Sequence, residues 1–147
     1  MHDCAKNFCD EVSYKELHKI AEKNGIVLDE FFKINPSLAH SYIGAIFAKN
    51  LYGITDIEIL DAISSHTFAE KDMGIIAKIV YIADFIEPSR PQNKTREKAQ
   101  QILNEGINQT LKFILDYTIQ KNQKKALPIY HKTIEAINYL EEHNADN

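Results

Sequence analysis

The chain has 147 residues, of which 44% are hydrophobic and 26% are charged. These values are ordinary for a soluble globular domain, and they exclude a disordered chain, a collagen-like repeat and a small fold that depends on disulfides. Acidic residues outnumber basic ones by 21 to 17, which gives a net charge of −4. A surface without excess positive charge argues against nucleic acid as a partner.

No segment of the sequence is suited to a membrane span or to export. The longest apolar stretch, 75–86, is too short to cross a bilayer and contains Lys78 and Asp84. The first ten residues lack the apolar core of a signal peptide. We therefore expect a cytoplasmic protein without membrane partners, in which Cys4 and Cys9 are thiols rather than a disulfide.

Apolar residues recur at spacings of three and four, which predicts an all-α fold of about seven helices. We expect one domain over residues 1–143, followed by a flexible tail at 144–147. In chain order, the predicted helices cover 13–25, 29–35, 37–53, 55–64 and 72–87, then a long stretch from 95 that frays at 120–125, and a last helix from 128.

Several of these helices carry recognisable end signals. Ser13 is followed three residues later by Glu16, which is the pattern of a capping box. Gly25 and Gly53 suit the ends of their helices. Thr55 is the expected cap of the fourth helix, because Glu58 follows it three residues later.

Asp84 is the residue that fits a plain helical bundle least well. It lies in the most apolar predicted helix, with Val80 and Ala77 one and two turns before it. A buried carboxylate is costly unless it is paired or bound to a metal. A helix cap or a buried salt bridge is therefore the alternative to metal binding at this position.

Three histidines add to this pattern. Each alone is explained by structure, since His40 begins an apolar helix, His66 follows a helix end and the pair His2–Asp3 is common by chance. Together with Asp84 they form the order HD…H…H…D. Imidazole and carboxylate ligands without thiolates suit iron, manganese, zinc, nickel or magnesium, so the set predicts a metal that activates water.

The sequence resembles the HD-domain metal-dependent phosphohydrolases, and more narrowly the YqeK group of symmetrical diadenosine tetraphosphate hydrolases. The most specific matching segment is KIVYIADFIEPSR at 78–90. The other matching segments are HDCAK at 2–6, LAHSYIGA at 38–45, ITDIEILDAISSHT at 54–67 and TIEAINYL at 133–140. The resemblance therefore covers nearly the whole chain.

The resemblance implies a function and a site. The function is symmetrical cleavage of diadenosine tetraphosphate into two molecules of ADP, with two divalent ions, commonly iron, and a homodimer as the assembly. The implied metal ligands are His2, Asp3, His40, His66 and Asp84. The implied catalytic residues are Asp3, Lys6 and Arg90, and the implied phosphate-binding residues are Lys6, Thr67 and Arg90.

Two departures from the group keep other functions open. Phe68 and Ala69 replace the threonine and glycine that usually follow the pair His66–Thr67, in a loop that borders the substrate pocket in the family. The group also carries a segment before the HD pair that supplies a further histidine. Relative to the family we therefore expect an N-terminally truncated domain, and the alternative is a protein that lacks one metal ligand. The alternatives are a phosphohydrolase acting on another nucleotide or phosphate ester, and a non-catalytic helical domain that binds metal or nucleotide.

Overall fold

The structure is a computed structural model that describes residues 1–91 and 93–143. Within these ranges it contains α-helices and 3₁₀ turns and no strand, so the predicted all-α class is confirmed. The helices are α1 (Lys6–Glu11), α2 (Tyr14–Lys23), α3 (His40–Tyr52), α4 (Ile57–Ser65), α5 (Ile75–Ile86), α6 (Lys94–Ile102), α7 (Ile107–Lys124) and α8 (His131–His143), with 3₁₀ turns at Glu30–Lys33 and Pro36–Ala39. The predicted flexible tail at 144–147 lies outside the described residues.

The chain divides into two compact units, one from Met1 to Thr67 and one from Phe68 onward. The expectation of a single domain over 1–143 stays a prediction. Among the described residues, no helix combines the length and the apolar composition that a membrane crossing requires.

Helix α3 is the centre of the first unit. It packs against α1, α2 and α4, and nearly all of its residues from His40 to Ala48 are buried. Gly44 lets the N-terminal segment approach this helix closely. A Cβ atom at Gly44 would lie 3.4 Å from the carbonyl oxygen of His2 and 3.7 Å from Sγ of Cys4.

Local end signals account for most helix boundaries in this unit. The capping box of Ser13 and Glu16 is present, as predicted. The predicted cap of α4 is wrong by one residue. Asp56, not Thr55, accepts hydrogen bonds from the backbone N–H groups of the first turn, at 2.9 Å from Glu58 N. Helix α1 was not predicted, because its six residues are too few to show an apolar period.

Helix α7 forms the core of the second unit and packs against α5, α6 and α8. Its inner residues Leu111, Ile114 and Leu115 are almost fully buried. The long helix predicted from residue 95 is in fact two helices, α6 and α7. Gly106 lies between them with φ of 144°, a conformation that side chains with a Cβ atom disfavour, and the chain turns there.

Candidate metal centre

His40 and His66 are held in the same way, each at the end of a helical segment. The Nδ1–H of His40 donates to the carbonyl oxygen of Ser37 at 2.8 Å, and that of His66 donates to Ile63 at 2.6 Å. Both rings are buried. A histidine that donates from Nδ1 presents an unprotonated Nε2 when the ring is neutral, so each ring is set up as an Nε2 ligand.

The two Nε2 atoms and a carboxylate oxygen face one another. Nε2 of His40 lies 3.0 Å from Nε2 of His66, and Oδ1 of Asp3 lies 3.2 Å and 3.3 Å from these two nitrogens. With both Nδ1 atoms donating to carbonyls, three hydrogen-bond acceptors converge on one point. Such a cluster is stable only with a shared proton or a cation between its members, and this donor chemistry fits a divalent metal.

Thr67 closes one side of this cluster. Its hydroxyl lies 3.1 Å from Nε2 of His40 and 3.4 Å from Nε2 of His66. One hydroxyl proton can satisfy only one of the two nitrogens at a time. Thr67 therefore does not remove the excess of acceptors, and its expected role in binding phosphate stays a prediction.

Two further polar side chains of the N-terminal segment, His2 and Lys6, lie beside Asp3. Nε2 of His2 lies 3.8 Å from Oδ2 of Asp3, and its ring meets that of His66 edge-on with centroids 4.9 Å apart. Ligand atoms of His2, Asp3 and His66 lie within 4.8 Å of one another, a spacing that a metal ion can bridge. Lys6 donates to Oδ2 of Asp3 at 3.0 Å, which leaves Oδ1 facing the histidine pair.

The pKa directions agree with a metal-ready site. Burial alone would raise the pKa of Asp3, but the hydrogen bond and charge of Lys6 and the charges of His40 and His2 bring the pKa below its usual value. Burial lowers the pKa of His66, against the opposing effect of its bond to Ile63. An ionised carboxylate beside a neutral imidazole is the protonation state in which both bind metal.

Asp84 and Arg90 lie together in the second unit. Nη2 of Arg90 is 2.6 Å from Oδ1 and 2.8 Å from Oδ2 of Asp84, whose side chain is 21% exposed. Asp84 is thus only partly buried and has a salt bridge, which is the alternative that the sequence left open. Its role as a metal ligand stays a prediction, as does the phosphate-binding role of Arg90.

Arg96 supports this pair from outside the predicted site. Its Nε donates to the carbonyl oxygen of Phe85 at 2.9 Å, and its Nη1 donates to that of Pro91. One side chain thus connects the last turn of α5 to the loop that carries Arg90. This contact was not predicted from the sequence, because an arginine in the first turn of a helix is usually solvated.

Comparison with known proteins decides the family. A scan against protein-family models finds no match. The symmetrical bis(5′-nucleosyl)-tetraphosphatase of Bacillus subtilis (strain 168) is 32% identical over 142 residues, which cover 95% of this chain and 72% of that protein. This chain belongs to the symmetrical bis(5′-nucleosyl)-tetraphosphatase family. A second member, from Halalkalibacterium halodurans, is 33% identical over 95% of this chain and 71% of its own length.

A solved structure supports the same family assignment for this chain. A Clostridium acetobutylicum protein, described as a predicted HD superfamily hydrolase involved in NAD metabolism, matches with a TM-score of 0.85 and 35% identity. The match covers 96% of this chain and 72% of that one. The resemblance inferred from the sequence, to the HD hydrolases and to this group within them, is confirmed.

Proposed function

We propose that this protein hydrolyses dinucleoside polyphosphates at a metal centre, and that it cleaves diadenosine tetraphosphate symmetrically into two molecules of ADP. The observation that carries the proposal is the convergence of two Nε2 atoms and one carboxylate oxygen within 3.3 Å, with Nδ1 of both rings committed to backbone carbonyls. The names of the family members supply the substrate.

The residues that would hold metal share imidazole and carboxylate chemistry. They are His2, Asp3, His40 and His66 in the first unit, and the family resemblance adds Asp84 as a further proposed ligand. We propose two divalent ions, with iron as the native metal, as the family resemblance implies. The mixed nitrogen and oxygen set suits iron and also accepts manganese, nickel, zinc or magnesium. A bound divalent ion of this kind polarises a phosphoryl oxygen and lowers the pKa of water.

The protein's own cations are proposed to manage the phosphate charge. Lys6 is anchored by Asp3, so its ammonium group stays beside the ligand cluster, where it can neutralise a phosphate oxygen. Arg90 contacts Asp84 through Nη2, and a guanidinium group has further N–H donors with which to bind a phosphate. The Thr67 hydroxyl is placed to donate to a phosphate oxygen beside the two histidines.

The test is product analysis with a matched histidine control. Diadenosine tetraphosphate is incubated with the purified protein and Fe²⁺ or Mn²⁺, and the nucleotides are separated by chromatography. We expect ADP as the sole product, activity abolished by a chelator and by His66→Ala, and activity retained by His18→Ala, since His18 lies in α2 with its ring against Tyr14.

Each other outcome would contradict one part of the proposed function. ATP and AMP as products would contradict symmetrical cleavage. Hydrolysis of simpler nucleotides or phosphate esters instead would contradict the substrate. Stoichiometric metal without any hydrolysis would show a non-catalytic binding domain.

A further inference from the structure

We propose that Asp10 is a positioning residue for His40 and that it acts through Ser37. The proposal rests on the function proposed above, because His40 matters here as a metal ligand. Neither Asp10 nor Ser37 has a polar atom in the ligand cluster, so their effect would pass through the orientation of the His40 ring.

A chain of hydrogen bonds joins the three residues. Asp10 lies in α1, and its Oδ1 accepts a hydrogen bond from the Ser37 hydroxyl. The Ser37 carbonyl oxygen in turn accepts two bonds from His40, one from the backbone N–H and one from Nδ1–H at 2.8 Å. The carbonyl that sets the tautomer of His40 thus belongs to a residue that α1 holds in place.

The same N-terminal segment contacts His40 at its other nitrogen. Oδ1 of Asp3 lies 3.2 Å from Nε2 of His40, and α1 begins three residues after Asp3 in the chain. The segment is well seated, because Ala5 and Cys9 are buried and α1 packs against both α3 and the turn Pro36–Ala39. Residues 3 and 10 therefore fix the His40 ring from both sides, one directly and one through Ser37.

No side-chain cap supports the turn that carries Ser37. Its N-cap residue, Asn35, makes no side-chain capping bond, and Ala39, the N-cap residue of α3, cannot make one. Backbone groups at a helical start that lack a cap depend on contacts from elsewhere for their orientation. The Asp10–Ser37 bond supplies one between side chains, and it ties the turn to α1.

The experiment measures metal affinity in five variants of the full chain, one of which is the double variant Asp10→Ala/Ser37→Ala. Asp10→Ala removes the acceptor, Ser37→Ala removes the donor, and Asp10→Asn keeps an acceptor oxygen. Glu11→Ala is the charge control, since Glu11 is the next residue of α1 and is exposed. The dissociation constant for Mn²⁺ is measured by competition with a chelator, and the ¹⁵N shifts of the His40 ring are recorded without metal.

We expect Asp10→Ala and Ser37→Ala each to weaken Mn²⁺ binding about tenfold, as is typical when a residue that orients a ligand is removed. The double variant should be no weaker than either single one, because both remove the same bond. Asp10→Asn and Glu11→Ala should bind as wild type does. The ring shifts should show His40 losing its single Nδ1–H tautomer in the two alanine variants only.

Two results would overturn the inference. One is unchanged affinity and unchanged ring shifts in both alanine variants. The other is an equal loss in Glu11→Ala, which would show that net charge rather than the bond is responsible. A wild-type protein that binds no metal at all would instead contradict the proposed function, on which the inference depends.

Discussion

The Nε2 atoms of His40 and His66 lie 3.0 Å apart although each ring already donates its Nδ1–H to a backbone carbonyl. Two unprotonated nitrogens at this distance, with a carboxylate oxygen beside them, repel one another unless something positive lies between them. The protein maintains the arrangement with buried rings and backbone acceptors. We attribute this to the binding of a cation.

Replacing Asp3 tests the charge of this cluster. Asp3→Asn keeps the shape of the side chain and removes its negative charge, so divalent metal should bind at least about tenfold more weakly. Isothermal titration calorimetry measures the loss. Asp56→Asn is the control, since Asp56 caps α4 and asparagine caps a helix equally well. Equal affinity in the Asp3 and Asp56 variants would remove Asp3 from the ligand set.

Gly44 should tolerate one added carbon but not three. In Gly44→Ala the new Cβ lies no closer than 3.4 Å to its neighbours, and alanine favours the helix by up to about 1 kcal/mol. In Gly44→Val the extra methyl groups press on the His2 carbonyl and on Ile63, which should lower the free energy of unfolding by about 1–3 kcal/mol. Urea denaturation measures both. A valine variant as stable as the alanine one would show that the N-terminal segment is not seated here.

Removing the Ser41 hydroxyl should stabilise the protein. Among the described residues, Ser41 Oγ is a fully buried side-chain atom without a hydrogen-bond partner. Ser41→Ala should raise the free energy of unfolding by about 1 kcal/mol, because an unsatisfied buried hydroxyl is removed.

Ser65→Ala is the matched control, since the Ser65 hydroxyl donates to the Asp61 carbonyl at 2.6 Å and its loss should destabilise by about 1 kcal/mol. Both variants are compared by urea denaturation. Equal destabilisation by the two substitutions would contradict the assignment of Ser41 as unsatisfied.

Arg96 should matter to activity through the loop that it holds. Arg96→Lys keeps the positive charge, but one ammonium group cannot reproduce the fork that reaches the carbonyls of Phe85 and Pro91. We expect lower kcat with metal affinity unchanged, because Arg90 is less well placed for substrate. Lys98→Ala, an exposed change in the same helix, should be neutral. If Arg96→Lys and Lys98→Ala behave alike, Arg96 is only a surface contact.

The sequence predicts well what is determined locally. The capping box at Ser13 and Glu16 needs only two side chains three positions apart, and it was predicted correctly. The break at Gly106 was missed, because the apolar spacing on its two sides is compatible with one helix. The break depends on the positive φ angle of Gly106, and the sequence indicates that angle only through the presence of a glycine.

The site also combines features that the sequence predicts with features that depend on tertiary structure. Motif order and family resemblance named His2, Asp3, His40 and His66, and the structure brings these four together. The backbone carbonyls that set the histidine tautomers could not be predicted, since they depend on how the 3₁₀ turn and α4 end. A salt bridge of Asp84 was left open beside metal binding and a helix cap, and its partner Arg90 was not predicted, because the burial and pairing of Asp84 depend on packing.

Anomalous diffraction from crystals grown with Mn²⁺ locates the proposed metal directly. We expect a metal peak bonded to Nε2 of His40, Nε2 of His66 and the Asp3 carboxylate, at about 2.0–2.3 Å. The same map shows whether His2 binds one of two ions. A metal peak away from the two Nε2 atoms, or none at saturating Mn²⁺, would contradict the account.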